Sequence, residues 1–233
     1  MGIGSILNFW STRKRQFKRT IHDILGSNRG LAIWGSGVIL NQRLHLPKLE
    51  ILALRGPLTA KALEYTGNCV FGDPVILAPY LMPPKSVKFS VGIVPHYSDK
   101  FHEAIEPFKS DPNYKIIDVE APWKYVLENI TSCEVILSSS LHGLIIADAY
   151  GKPNQRISLS KNLTGGDFKF NDYGLSVGRD SIPAKVIENQ YDLKAAAKQL
   201  LERPQLAEKE NVVSSQNGLI SSIEKWASKR TVN

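Results

Sequence analysis

From Leu31 onward, short apolar runs alternate with segments of helical period. L-A-I-W-G-S-G (residues 31–37) predicts a buried strand ending in a glycine turn, and E-I-L-A-L-R-G-P (50–57) predicts a second strand that stops at proline. L-T-A-K-A-L-E-Y-T-G (58–67) predicts a helix closed by Gly67, and V-I-L-A-P-Y-L (75–81) a shorter one. After P-P-K-S (83–86), which reads as a linker, the same rhythm restarts. V-K-F-S-V-G-I-V-P-H-Y predicts a strand, D-K-F-H-E-A-I-E-P-F a helix, Y-K-I-I-D-V-E a strand and W-K-Y-V-L-E-N-I a helix. E-V-I-L-S-S-S (134–140) predicts one more strand, and L-H-G-L-I-I-A-D-A-Y-G (141–151) the helix that follows it. Beyond Asp192 the pattern is helical, first D-L-K-A-A-A-K-Q-L-L, then an amphipathic stretch through Leu219, Ile220, Ile223 and Trp226.

Strands that alternate with helices imply an α/β class with parallel sheets covered on both faces. The linker near Pro83 divides the expectation into two α/β halves: residues 1–82, and residues 83–233 with closing helices. Neither internal repeats nor low-complexity tracts are visible.

Composition changes this picture little, and charge changes it more. Apolar residues at 42% and charged residues at 22% are ordinary for a globular chain. A formal net charge of +7 favours anionic partners such as phosphates, acidic glycans or an anionic membrane surface. The run R-K-R-Q-F-K-R (Arg13–Arg19) lies among Trp10, Phe17, Ile21, Ile24 and Leu25 at helical spacing. That pattern fits a solvated face over a core stripe; peripheral contact with a membrane is the other reading. It lacks interleaved aromatic platforms, so nucleic acid is not an expected partner. Two cysteines, Cys69 and Cys133, form neither a disulfide framework nor a zinc motif. With no long apolar span and no secretory pattern, a cytoplasmic location is expected.

Ligands of parallel sheets collect at the carboxyl ends of strands, where helix N-termini carry partial positive charge. Four loops fall there. Gly35-Ser36-Gly37 permits close backbone approach but is not a dinucleotide fingerprint, since Leu40 stands where its last glycine would. R-G-P-L-T (55–59) places Arg55 at a strand end, Gly56 in the turn and Pro57 at the first helical position. Arg55 could clamp a carboxylate or phosphate, or make a structural ion pair. G-D-P (72–74) reads as a helix cap. Ser138, Ser139 and Ser140 offer more hydroxyls than one cap needs, and His142 falls in the first helical turn. There the helix end favours a neutral imidazole, the form that acts as a base. His96, in V-P-H-Y at another strand end, is the second candidate. His22, His45 and His102 receive no role.

In order and spacing, W-G-S-G, L-R-G-P-L-T, F-G-D-P-V-I-L, V-G-I-V-P-H-Y, S-S-L-H-G-L-I-I-A-D-A-Y-G-K-P and F-K-F-N-D-Y resemble the polysaccharide pyruvyl transferase family. The resemblance implies transfer of pyruvate from phosphoenolpyruvate onto two hydroxyls of a sugar, in a polysaccharide of an exopolysaccharide or capsule or in its lipid-linked precursor. The product is a ketal, and phosphate is released. It also implies two halves resembling the GT-B glycosyltransferase type, with neither metal nor cofactor. His142 matches the motif histidine and is the implied acid/base, with His96 a partner. Arg55 matches the motif arginine and is the implied donor clamp, with Ser139, Ser140 and Gly35-Ser36-Gly37 lining the substrate. Some members carry an arginine two residues before the motif histidine. Here that place is Ser140, so a second cation is expected from Arg156, Lys161, Lys169 or Arg179. Members also carry an N-x-G-D-like loop before a strand ending in G-S-I-L, whereas this chain starts M-G-I-G-S-I-L, so the first half is expected to be shortened at its start. An inactive anion- or glycan-binding relative, and a glycosyltransferase using a nucleotide sugar, are the alternatives.

Overall fold

The computed structural model describes residues 32–40, 50–160 and 166–231. The Arg13–Arg19 run, His22, His45 and Lys161 lie outside them. Within the described residues the class is α/β, and every strand pairing is parallel.

The first sheet has the order β1-β2-β3, formed by β1 (Ala32–Ser36), β2 (Glu50–Leu54) and β3 (Val70–Phe71). Helix α1 (Pro57–Ala62) follows β2 through Gly56, with proline at its start as expected. It ends before Gly67: Glu64 takes φ 51°, and its N–H reaches Lys61 O at 3.1 Å. A non-glycine residue therefore supplies the left-handed closing turn. Ile33, Val38, Leu54, Ala60 and Ala62 form the core beneath this sheet.

The second sheet has the order β5-β4-β6-β7-β8. Its strands are β4 (Phe89–Val94), β5 (Tyr114–Ile116), β6 (Cys133–Ser138), β7 (Asn154–Ser158) and β8 (Lys185–Val186). The central strands F-S-V-G-I-V and C-E-V-I-L-S are nearly continuously apolar because both faces are covered. On one face Val91, Ile93, Val135, Leu137 and Ile157 meet Ile105, Phe108 and the Leu193, Ala196 and Leu200 stripe of α6 (Gln190–Glu202). On the other, Val94, Cys133 and Ile136 meet α2 (Ala78–Leu81), α3 (Trp123–Thr131) and α4 (Leu141–Ala149). The segment expected as a helix after His96 instead forms two short 3-10 helices, Tyr97–Asp99 and Glu103–Lys109, the second with Pro107 inside. Proline lacks the N–H that an α-helix interior needs.

Two compact units emerge, but not as contiguous halves meeting at residue 83. The first lies within Met1–Pro74, Thr164–Ser181 and Val213–Asn233, the second within Val75–Leu163 and Ile182–Val212. The closing helices are therefore shared out. Helix α5 (Phe168–Ser176) and most of α7 (Lys209–Thr231) belong to the first unit. Trp34 Nε1 donates to Leu219 O at 3.1 Å and Ser215 Oγ to Phe71 O at 3.0 Å, which ties α7 to the first sheet. Among the described residues no helix is long and apolar enough to cross a membrane.

Candidate functional site

In the second sheet β4 leads to β5 on one side, while β6 and β7 continue on the other. The strand order therefore reverses between β4 and β6, the place where open parallel sheets hold ligands at their carboxyl ends. His96 follows β4 at that point, and His142 lies in the first turn of the helix that follows β6.

Helix α4 follows β6 through Ser139 and Ser140. It is buried almost all round, with only His142 half-exposed in its first two turns, which explains why its sequence is apolar rather than amphipathic. Gly143 makes its approach possible: an added Cβ would lie 2.4 Å from Ser138 Oγ and 2.8 Å from Val94 Cγ1. The three serines do not simply cap this helix. Ser138 Oγ donates towards Val94 O at 2.9 Å and accepts from Ser140 N at 3.0 Å, locking the turn. Ser139 Oγ donates to Asp99 Oδ2 at 2.9 Å and accepts from His96 N at 2.8 Å. Ser140 occupies the N-cap position, is 6% exposed and makes no side-chain cap bond. The first-turn N–H groups thus keep their pull on an anion.

Asp99 is the residue that sequence reasoning missed. It is 2% exposed and accepts from Ser139 Oγ, from Ser160 Oγ at 2.6 Å and from Ser98 Oγ at 3.3 Å. Three loops, after β4, β6 and β7, are joined at this one carboxylate. The only signal was its place just after the V-P-H-Y strand end, since Ser139 and Ser160 are remote in sequence. His96 is half-buried, and its ring lies 4.2 Å from that of Tyr97. His102 caps the next turn, its Nδ1 accepting from Ala104 N at 3.3 Å.

The first unit gathers the other motifs into a closed network. Arg55 and Asp172 are fully buried, with Nε 2.9 Å from Oδ2. Arg55 Nη2 also donates to Val38 O at 2.6 Å. Asp172 accepts in addition from Thr59 N at 2.8 Å and Thr59 Oγ1 at 2.6 Å, so it caps α1 from 113 residues away. Burial pulls the Arg55 pKa down, and the charges of Asp172 and Asp73 oppose that shift. Of the two roles the sequence left open to Arg55, the geometry displays the ion pair. The glycine loop is filled by protein as well. Gly35, at φ +73°, has Pro74 Cδ 2.3 Å from where its Cβ would be, and Gly37 has the Arg55 guanidinium at 2.3 Å. Ser36 is fully buried, and its hydroxyl finds no partner among the described residues.

Of the expected second cations, Arg156 shares the unit of His142. It pairs in register with Ser138 on β7 and is 4% exposed, with Nη1 donating to Ile182 O at 2.9 Å. Lys169 and Arg179 belong to the other unit. Among the described residues no group of three or more His, Cys, Asp or Glu side chains is placed to hold a metal ion.

Residues 2–158, more than half of the chain, match the model of the polysaccharide pyruvyl transferase family. An uncharacterised protein of Acanthamoeba polyphaga mimivirus is 30% identical over 158 residues, covering 63% of this chain and 55% of that protein. The succinoglycan biosynthesis protein ExoV of Rhizobium meliloti (strain 1021) is 26% identical over 189 residues, covering 80% of this chain and 56% of its own. The chain spans little more than half the length of either relative.

Proposed function

The chain belongs to the polysaccharide pyruvyl transferase family, and from that premise we propose that it moves pyruvate from phosphoenolpyruvate onto two hydroxyls of one sugar. The acceptor is a polysaccharide unit or its lipid-linked precursor, the product a cyclic ketal. The observation that carries this reading is His142 in the first turn of α4, at the strand-order reversal of a parallel sheet.

The chemistry asks for an anion cradle, an acid and a base. The N-terminal end of α4, where His142 is half-exposed, would favour the donor's carboxylate or phosphate. His142 acts first as the acid: in its imidazolium form it delivers a proton to the donor's methylene carbon, which becomes the methyl group, and it is left as the neutral base. The electron-poor neighbouring carbon is attacked by the first sugar hydroxyl, whose proton passes to a base; His96 is placed for that role. The second hydroxyl then replaces the phosphate, which leaves as inorganic phosphate, and the ring closes as that hydroxyl's proton returns to His142. We also assign the two units to a GT-B-like pair, on the ground that each carries its own parallel sheet.

The test is phosphate release from phosphoenolpyruvate with a panel of aryl and lipid-linked β-galactosides, glucosides and mannosamines. Acceptor-dependent release should fall about 100-fold or more in His142→Ala, the usual size of an acid–base contribution. Heat protection by phosphoenolpyruvate without turnover would instead assign binding without catalysis. Protection by nucleotide sugars alone would assign a glycosyltransferase.

A further inference from the structure

We infer that a second binding site, for an acidic saccharide, lies at the end of the second sheet opposite to the histidines. A cleft of about 350 Å³ opens there, within the ~300–1,000 Å³ of small-molecule sites. Lys85, Lys88, Phe89, Glu128 and Asn129 line it, and all belong to the second unit. Phe89 begins β4 and Val94 ends it, so the cleft lies roughly 17 Å along the strand from the end that leads to His96. The proposed reaction makes no use of it.

Backbone bonds fix one wall. Lys88 N and Phe89 N both donate to Ser132 O, at 2.8 and 3.1 Å, and Lys85 N donates to Thr131 Oγ1 at 3.2 Å. Residues 85–89 are thereby held against the end of α3. Lys85 Nζ lies 3.3 Å from Glu128 Oε1, so that charge is already answered. Lys88 is exposed, and among the described residues its ammonium has no hydrogen-bond or ion-pair partner. Lys115 Nζ stands 5.6 Å from the centroid of the Phe89 ring and adds a third cation. Three ammonium groups against the Glu128 carboxylate leave the cleft positive, which suits an anion.

A bare anion does not account for the rest of the lining, because Glu128 repels it. The Glu128 carboxylate is an acceptor, and so is the Oδ1 of Asn129, whose amide group donates to Tyr125 O at 2.8 Å. Such groups call for a ligand that donates hydrogen bonds, as sugar hydroxyls do and phosphodiesters do not. The half-buried Phe89 ring offers an apolar surface to the C–H face of a pyranose. A carboxylate, hydroxyls and an apolar face on one molecule describe a sugar acid, its carboxylate on Lys88 and its hydroxyls on Glu128 and Asn129. The site holds a carboxylate-bearing polysaccharide without acting on it.

The test is calorimetric titration of the full chain with tetragalacturonate, in calcium-free buffer at low salt. Its fully methyl-esterified form and inorganic phosphate are the comparison ligands. Wild type should bind tetragalacturonate, and His142→Ala should bind it equally well. Lys88→Gln should raise Kd about 5-fold, the upper range for an exposed charge pair, and Lys88→Glu should raise it further. Lys88 is exposed, so both variants keep the fold. The ester should bind at least about 5-fold more weakly than the acid and lose nothing further in Lys88→Gln. No binding by wild type, an ester that binds as tightly as the acid, or an unchanged Kd in Lys88→Gln overturns the inference. Phosphate binding as tightly as tetragalacturonate also overturns it, for the cleft then reads charge alone. Loss of binding in His142→Ala overturns it too, since the ligand then sits at the histidines. Turnover enters none of these readouts, so a chain that transfers no pyruvate still decides the matter.

Discussion

Replacing Asp172 by Asn separates the two roles open to Arg55. The substitution keeps the side chain's volume and one acceptor oxygen but removes the charge 2.9 Å from the guanidinium. Both partners are fully buried, so water cannot screen the loss. Breaking a buried ion pair from one side costs about 3–5 kcal/mol, since the remaining charge is stranded. Here Asp73 would be the carboxylate left to offset the desolvation of Arg55. One of the two Thr59 bonds at 2.6 and 2.8 Å also weakens, adding about 1 kcal/mol through the α1 cap. A loss of about 3 kcal/mol is then a conservative figure, a large share of the 5–15 kcal/mol of a typical protein. With urea slopes of about 1–3 kcal/mol per molar, the unfolding midpoint of the first unit should drop by about 1–3 M. Trp34 and Trp226, both tied to that unit, report it by fluorescence. Arg55→Met should fall comparably, because it strands Asp172. A midpoint within about 0.5 kcal/mol of wild type in Asp172→Asn would refute this account, that being the ordinary scatter of harmless substitutions. So would an Arg55→Met protein of normal midpoint that has lost heat protection by phosphoenolpyruvate, for then Arg55 clamps the donor.

Three further outcomes follow from close contacts. Gly143→Ala gains up to ~1 kcal/mol of helix propensity but drives a methyl into Ser138 Oγ and Val94, so chemical unfolding should show a net loss of about 1–2 kcal/mol. Gly35→Ala meets both a φ of +73° and Pro74, and its thermal midpoint should fall by several degrees, a strained turn costing about 1–2 kcal/mol. Burial pushes the Cys133 thiol up to about 12, so a thiol reagent at mild alkaline pH should modify Cys69 first and Cys133 only on unfolding. Because the unfolded thiol ionises near 9.0, this group's stabilisation is complete below that pH and is lost as pH rises towards 12; Cys133→Ala should flatten the alkaline limb of the stability curve.

Local chemistry made much of this fold legible. The strand–Arg–Gly–Pro–helix passage at Leu54–Pro57 and the strand–serine–helix passage at Ser138–Leu141 stand where their residues indicate. What stayed hidden depends on partners remote in sequence. Nothing near Arg55 points to Asp172, and nothing near Ser139 points to Asp99. Strands β3 and β8 have two residues each, too few for a period to register. The helix expected after His96 failed at Pro107, where local propensity was outvoted by a missing N–H.

The two units differ in how their polar groups are buried at the carboxyl ends of the strands. At the carboxyl ends of β1, β2 and β3, Ser36, Arg55, Thr59, Asp73 and Asp172 are all fully buried, and the glycines there admit neighbouring protein atoms rather than open space. A motif so filled holds loops together. At the carboxyl ends of β4 and β6 the polar groups are layered differently. Asp99 and Ser138, Ser139 and Ser140 are buried, with Ser139 bonded to Asp99 and Ser138 to Ser140, while His96 and His142 are half-exposed. The buried Ser139–Asp99 pair costs less to build than a free charge would, because donor and acceptor satisfy each other. It also holds the backbone at His96, whose N–H donates to Ser139 Oγ at 2.8 Å, before any ligand arrives. In the first unit the buried Arg55–Asp172 pair supplies rigidity; in the second, the half-exposed histidines at the strand-order reversal are the ones the proposed reaction would use.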